Sequence, residues 1–268
     1  MLDRKLVFDT LRTGLFGGEL SQSQVDGINA ILDGWDSNGQ TDDLRHLAYM
    51  LATVYHETGP LSAKGHMLPV TERGGPDYFK RYDGRADIGN VEPGDGYKFR
   101  GRGLVQLTGR ANYRKASNAL GVDLVYQPDI ALEPIIAVQI MFDGMAAGWF
   151  TGKKLSDYLN DKVADWTNAR RIINGTDKAA MIAGYAREFY AALKAADTIV
   201  NPPFLPPPVI LPETPPIPMP DDPGTGSEGS GDTPALDGAG AAHWWRWLLI
   251  LAVLGVIGWG IGRVAGWW

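Results

Sequence analysis

Twelve of the chain's 18 prolines lie between Pro202 and Pro234. Residues without a backbone N–H can neither continue a helix interior nor sit inside a sheet, so this stretch divides the chain. Pro202–Pro223 predicts a stiff polyproline-II spacer, roughly 70 Å long at about 3.1 Å per residue. The Gly, Ser and Asp residues that follow predict a soft extension. Three parts result: a folded region at 1–201, a Pro/Gly-rich linker at 202–242 and a C-terminal segment at 243–268.

Charge and cysteine content narrow the chemistry. The net charge of −6 is concentrated in the linker, which holds Glu213, Asp221, Asp222, Glu228, Asp232 and Asp237 and no Lys or Arg. Setting these aside, with Arg246 and Arg263 of the tail, leaves 23 basic and 25 acidic side chains in region 1–201. A surface so nearly balanced has no nucleic-acid footprint. With no cysteine in the chain, disulfides, thiolate metal sites and cysteine nucleophiles are excluded.

The C-terminal segment carries six of the nine tryptophans, a bracketing typical of a membrane interface. Trp247–Gly262 has no charge and would span about 24 Å as a helix, so a membrane segment continuing to Trp268 requires Arg263 to snorkel. Gly258, Gly262 and Gly266 recur every four residues and predict a face through which two such helices approach closely. Arg246 and Arg263 flank the span one on each side, so positive charge does not orient it. The N-terminal residues lack an apolar run of signal-peptide length, so classical secretion is not encoded there.

Region 1–201 reads as mainly α. Ser21 and Gln24 form a capping box ahead of Val25, Ile28, Ile31, Leu32 and Trp35. Thr41 is placed to cap a second helix, with Leu44, Leu47, Ala48 and Leu51 on one face, Glu57 at its C-terminal end and Gly59-Pro60 as its stop. Pro134 opens a helix through Phe150 that is apolar nearly all round. Further helices are expected at Asp165–Ile173, ended by Asn174-Gly175, and at Ala179–Ala196. Between Gly59 and Gly109 the periodicity dissolves, and long irregular stretches inside a domain usually carry function.

Elimination leaves carboxylate chemistry. His56-Glu57 opens like a zinc-protease motif, but Pro60 stands where the second His is needed, and His46, His56, His66 and His243 contain no i, i+4 pair. No GxSxG elbow occurs, and Gly101-Arg102-Gly103 lacks the residues that complete a phosphate loop. No metal and no cofactor is therefore expected. Glu57 lies at a helix C-terminus, whose carbonyls and dipole disfavour a second negative charge and suit a proton donor. Glu72 lies in the Gly-rich loop beside Arg73, where it would stay ionised. Two carboxyls in opposed settings can be the acid and base of a glycosidase. Each also has a plain alternative, as a solvated helix-end or loop acid.

Three blocks then carry a resemblance: His56-Glu57-Thr58-Gly59, the run from Phe99 to Tyr113 (FRGRGLVQLTGRANY), and Ile172-Ile173-Asn174-Gly175. In order and content they resemble glycoside hydrolase family 19, the chitinase and phage-endolysin group of the lysozyme superfamily. The resemblance implies a lysozyme-like, mainly α fold with minimal β structure. It places Glu57 on the general acid and Glu72 on the general base of an inverting hydrolysis of a β-1,4 bond. It puts Gln106, Thr108, Asn112 and Asn174 on substrate-binding positions, with His56 and Tyr113 lining the site. Asn112 and Asn174 can equally serve as helix caps, and Tyr113 can equally be core. The family's arginine before the last Phe-Tyr is displaced by one residue, at Arg187, and Asp83, Asp87 and Glu92 are reserve candidates for the base.

The insert Tyr78–Asp95 resembles the bacterial and phage branch, which implies peptidoglycan as substrate. The reading that follows is an endolysin-type hydrolase tethered to membrane lipid by its C-terminus, acting at the cell wall, with holin-dependent access. A chitinase, or a wall-binding module without turnover, are the alternatives.

Overall fold

The computed structural model describes residues 2–38, 41–59 and 65–197. The linker, the tryptophan-rich segment and Gly258, Gly262 and Gly266 lie outside the described residues. Among the described residues no helix is long and apolar enough to cross a membrane, and no group of three His, Cys, Asp or Glu is placed to hold a metal ion.

The architecture is mainly helical, as read from the sequence. Helix α1 (Arg4–Thr13) is capped by Asp3, whose side chain accepts from the Leu6 N–H. Helix α2 (Gln22–Asn38) begins with the expected capping box: Ser21 N–H donates to Gln24 Oε1 at 2.9 Å, and Gln24 N–H donates to Ser21 Oγ at 3.3 Å. Helix α3 (Leu44–Glu57) is capped by Asp43, not by Thr41. Thr41 instead accepts from the Asp43 N–H and steadies the cap from outside. Between Leu47 and Tyr55 every residue of α3 is buried, so this helix is the axis of the core. It packs along α8 (Ala179–Asp197), which also receives α1. Tyr55 meets Phe16 at 5.3 Å and Tyr185 at 4.8 Å, both edge-on, the geometry favoured by ring quadrupoles.

Helix α7 (Pro134–Ala147) starts at the expected proline and packs on α2. It ends before Phe150 because Gly148 turns left-handed, with φ 73°. Gly34 of α2 lets the two helices approach, since a Cβ there would lie 2.4 Å from Val138 Cγ1. The groove beside this contact, about 400 Å³ and lined by Gly34, Ile135, Val138 and Phe142 among others, contains none of the expected site residues.

The strands are minimal. β1 (Val70–Thr71) pairs antiparallel with β2 (Arg102–Gly103) in the register Val70 to Gly103 and Thr71 to Arg102. β3 (Leu159–Asn160) pairs with β4 (Val163–Ala164). Two short helices, α4 (Pro76–Phe79) and α5 (Asp95–Lys98), lie between β1 and β2, and α6 (Arg110–Leu120) follows β2. The expected helix at Asp165–Ile173 is a 3₁₀ turn, Asn168–Ile172. Asp165 accepts from the Asn168 backbone and side chain, and the Arg170 and Ile173 N–H groups close on carbonyls three residues back, the tighter 3₁₀ pattern.

Candidate active site

Glu57 is the last residue of α3. The chain leaves this helix end through Thr58, whose hydroxyl donates to the Val54 carbonyl at 2.7 Å and accepts from the Met67 N–H at 3.0 Å. Gly65 makes that return possible: a Cβ there would lie 2.3 Å from the Tyr55 carbonyl oxygen.

Arg170, on the 3₁₀ turn Asn168–Ile172, is 4% exposed and donates from Nη1 to Glu57 Oε1 at 2.7 Å, while the Glu57 side chain is 18% exposed. The guanidinium answers both the carboxylate and the negative end of α3. Its Nε is buried without a partner among the described residues. Burial pushes the His56 imidazole below its ordinary pKa, Glu57 pulls it up, and Arg170 adds to the lowering. His56 is therefore neutral near pH 7 beside the Glu57–Arg170 pair. Asn174 ends the same turn: its N–H donates to the Arg170 carbonyl, and its exposed side chain accepts from Gly175. His56, Glu57 and Asn174 thus belong to one half of the site, organised around Arg170.

The other half forms around Glu72. The β1–β2 pairing continues one residue further, with Glu72 N–H donating to the Gly101 carbonyl at 2.8 Å. In return, the Gly101 N–H donates to Glu72 Oε2 at 3.1 Å. Gln106 lies over the same glycine. A Cβ on Gly101 would stand 2.5 Å from Gln106 Oε1 and 3.2 Å from Glu72 Oε2, so only glycine lets both side chains converge there. Gln106 has a left-handed backbone, φ 57°, uncommon for a residue with a side chain and frequent at functional sites. Its Nε2 donates to the Val70 carbonyl at 3.2 Å. From Gln106 a ladder runs onward: Thr108 Oγ1 donates to the Gln106 carbonyl at 2.8 Å, and Asn112 Nδ2 to the Thr108 carbonyl at 3.0 Å. Glu72, Gln106, Thr108 and Asn112 are therefore brought together. Asn112 is not the cap of α6; Gly109 holds that position.

Tyr113 departs from its expected role. It is wholly buried, donates its hydroxyl to the Arg100 carbonyl at 2.9 Å and accepts from Arg102 Nη1 at 3.0 Å. Burial raises its phenol to about 12. It supports the loop from below and lines no cleft. Arg187, the arginine displaced by one residue, reaches the Ala183 carbonyl of its own helix from Nη1 at 3.5 Å, and the guanidinium paired with Glu57 is that of Arg170. Of the reserve bases, Asp87 pairs with Arg85, and Asp83 accepts from the Gly94 and Gly96 N–H groups, which ties it into the insert. His46 bonds the Leu159 carbonyl.

Three residues that matter here were not singled out from the sequence. Arg170 carried one signal, a charge within the apolar run Ala169–Ile173, all of which reads as core except the arginines. Gly101 had its place in the GRG block but no stated steric reason. Arg102, 2% exposed, fastens the loop to Asp129 at 2.7 Å and to the Lys98 carbonyl at 2.9 Å.

Comparison with known proteins identifies the family. The family description "Chitinase class I" of glycoside hydrolase family 19 matches residues 29–171. An endochitinase of Arabidopsis thaliana is 33% identical over 132 residues, 49% of this chain and 40% of the relative. A glycosyl hydrolase family 19 domain-containing protein of Haemophilus influenzae is 46% identical over 43 residues, 16% of this chain and 22% of the relative. The chain thus spans well under half the length of these relatives. Among solved structures, chitinase C from Streptomyces griseus superposes with a TM-score of 0.50 at 16% identity, covering 72% of this chain and 92% of that one, a likeness of fold.

Proposed function

The chain belongs to glycoside hydrolase family 19, and from that membership and the settings of its two glutamates we propose that it hydrolyses β-1,4 bonds of a cell-wall glycan with inversion at the anomeric carbon. The observation that carries the reading is the pair of half-sites: Glu57 pinned through one oxygen by buried Arg170, and Glu72 pinned through one oxygen by Gly101. Among the described residues the second oxygen of each carboxyl takes no part in these bonds and is left to meet substrate.

In this mechanism Glu57 Oε2 delivers a proton to the glycosidic oxygen as the bond to the anomeric carbon breaks. Glu72 Oε1 takes a proton from a water that attacks the same carbon from the opposite face. Inversion by such a pair requires the carboxyls to stand about 6.5–9.5 Å apart with that water between base and sugar. Gln106, next to Glu72, orients the water or the sugar's acetamido group, and Thr108, Asn112 and Asn174 bind saccharide hydroxyls.

Peptidoglycan is the substrate we infer, on the character of the insert Tyr78–Asp95. Chitin is the second reading, favoured by the endochitinase relative. Supplying the full chain with purified peptidoglycan and with colloidal chitin, and following new reducing ends by mass spectrometry, separates them. Anomer-resolved NMR tests the stereochemistry: a product that first appears with retained configuration rules the mechanism out. We also propose an endolysin-type role, with the linker as a spacer and the tryptophan-rich segment as a membrane tether that brings the head to the wall, access depending on a holin-like partner. Vesicle flotation of the full chain against a chain ending at 201 tests the tether.

A further inference from the structure

Next to the Glu72 half-site lies a shelf of stacked cations and rings that the hydrolytic mechanism leaves unused. Phe79, fully buried, is its centre. Tyr78 meets it at 4.9 Å and Tyr97 at 5.9 Å, and these two tyrosines are 46% and 38% exposed. The shelf is continuous with the base loop, because the backbone of Gly74 is packed so closely that a Cβ would lie 2.7 Å from Tyr78 and 2.8 Å from Phe79. On its other side, Arg100 immediately precedes Gly101, whose N–H holds Glu72.

Two guanidinium groups lie on these rings. Arg81 sits 3.7 Å from the centroid of Tyr78, and Arg100 sits 4.1 Å from that of Tyr97. Stacking fixes the guanidinium plane and leaves its N–H edge outward, so less freedom is lost when a carboxylate docks in bidentate fashion. Each group spends little of its donor capacity internally: Arg81 donates to Tyr82 Oη, Arg100 to the Tyr97 carbonyl, out of five N–H donors per guanidinium. Nearby acids are engaged elsewhere, Asp77 by Lys80, Asp87 by Arg85 and Asp95 by Arg110. Among the described residues, neither Arg81 nor Arg100 pairs with a carboxylate within 4 Å. A neutral polysaccharide offers such groups nothing, whereas a glycan strand bearing acid substituents offers carboxylates at each repeat.

We propose that Arg81 and Arg100, presented by Tyr78 and Tyr97, bind the carboxylates of an acidic glycan strand running past Glu72, and so select peptidoglycan over neutral chitin. This rests on reading Glu57 and Glu72 as the hydrolytic pair, and its test has a separate readout. The full chain, Arg81→Gln, Arg100→Gln and the double variant are cosedimented with detergent-extracted sacculi, with sacculi whose carboxylates have been amidated, and with chitin. Reducing ends are measured in parallel. Arg81 is exposed and Arg100 half-buried, and neither guanidinium bonds to a residue of the two half-sites, so the variants keep the fold, which circular dichroism checks. The double variant is expected to bind native sacculi about tenfold more weakly, with chitin and amidated sacculi unchanged and the salt sensitivity of wall binding reduced. Unchanged binding to native sacculi, or an equal loss on all three, overturns the proposal. Selective binding without any release of reducing ends would leave this surface standing and remove the hydrolytic reading instead.

Discussion

Arg170 and Glu57 are 113 positions apart in the chain and 2.7 Å apart in space, and their burial differs. Replacing Glu57 therefore has two separable consequences. Glu57→Gln removes the proposed proton donor but keeps an oxygen for Arg170, so activity should fall about 10²–10⁴-fold with the urea midpoint nearly unchanged. Glu57→Ala leaves the guanidinium buried without a partner and should in addition lower stability by about 3–5 kcal/mol, read from the same denaturation curves. Equal stability of the two variants would show that the pair does not hold the fold. Its neighbour His56 gives a pH signature. Because burial lowers its folded-state pKa from the ordinary 6.5, the unfolded chain binds the extra proton first as pH falls. The contribution of neutral His56 is complete above about pH 6.5 and is lost as acidification proceeds towards the folded-state pKa. Urea midpoints from pH 7.5 to 5 should fall less for His56→Gln than for the native chain.

At the scale of elements, local rules held where the partners are close in sequence. The Ser21–Gln24 box and Pro134 at the first turn of α7 could be read directly, because a cap is an interaction across three or four residues. The segment Asp165–Ile173, expected as an α-helix, forms a 3₁₀ turn whose N–H groups at Arg170 and Ile173 close three residues back, with Arg170 facing inward to reach Glu57 of α3. Glycines in helices test the same distinction. Gly184 of α8 has open space around it, so Gly184→Ala should stabilise by about 1 kcal/mol, the usual helix preference of alanine over glycine. Gly27 of α2 lies against the backbone of Met67, where a Cβ would come within 2.0 Å of its carbonyl oxygen. Gly27→Ala should therefore lower the thermal midpoint despite the same preference, and a rise would show that the Met67 segment yields.

For the molecule as a whole, helices α1, α3 and α8 pack together around a core of buried side chains among the described residues. Removing residues 202–268 should accordingly leave a folded head whose hydrolysis of isolated walls matches that of the full chain, measured as reducing ends per mole of protein; loss of that activity would mean that the tail completes the site. The mainly α character, the capping box at Ser21, the helix start at Pro134 and the family itself were legible in the residues, because composition, caps and motif blocks are written over short spans of chain. Tertiary packing alone decided that Tyr113 faces the core, that Arg170 pairs with Glu57, and that Gly101 gathers Glu72 and Gln106. These are contacts through space between loops with no periodicity, where the steric fit of one backbone against another selects the partner.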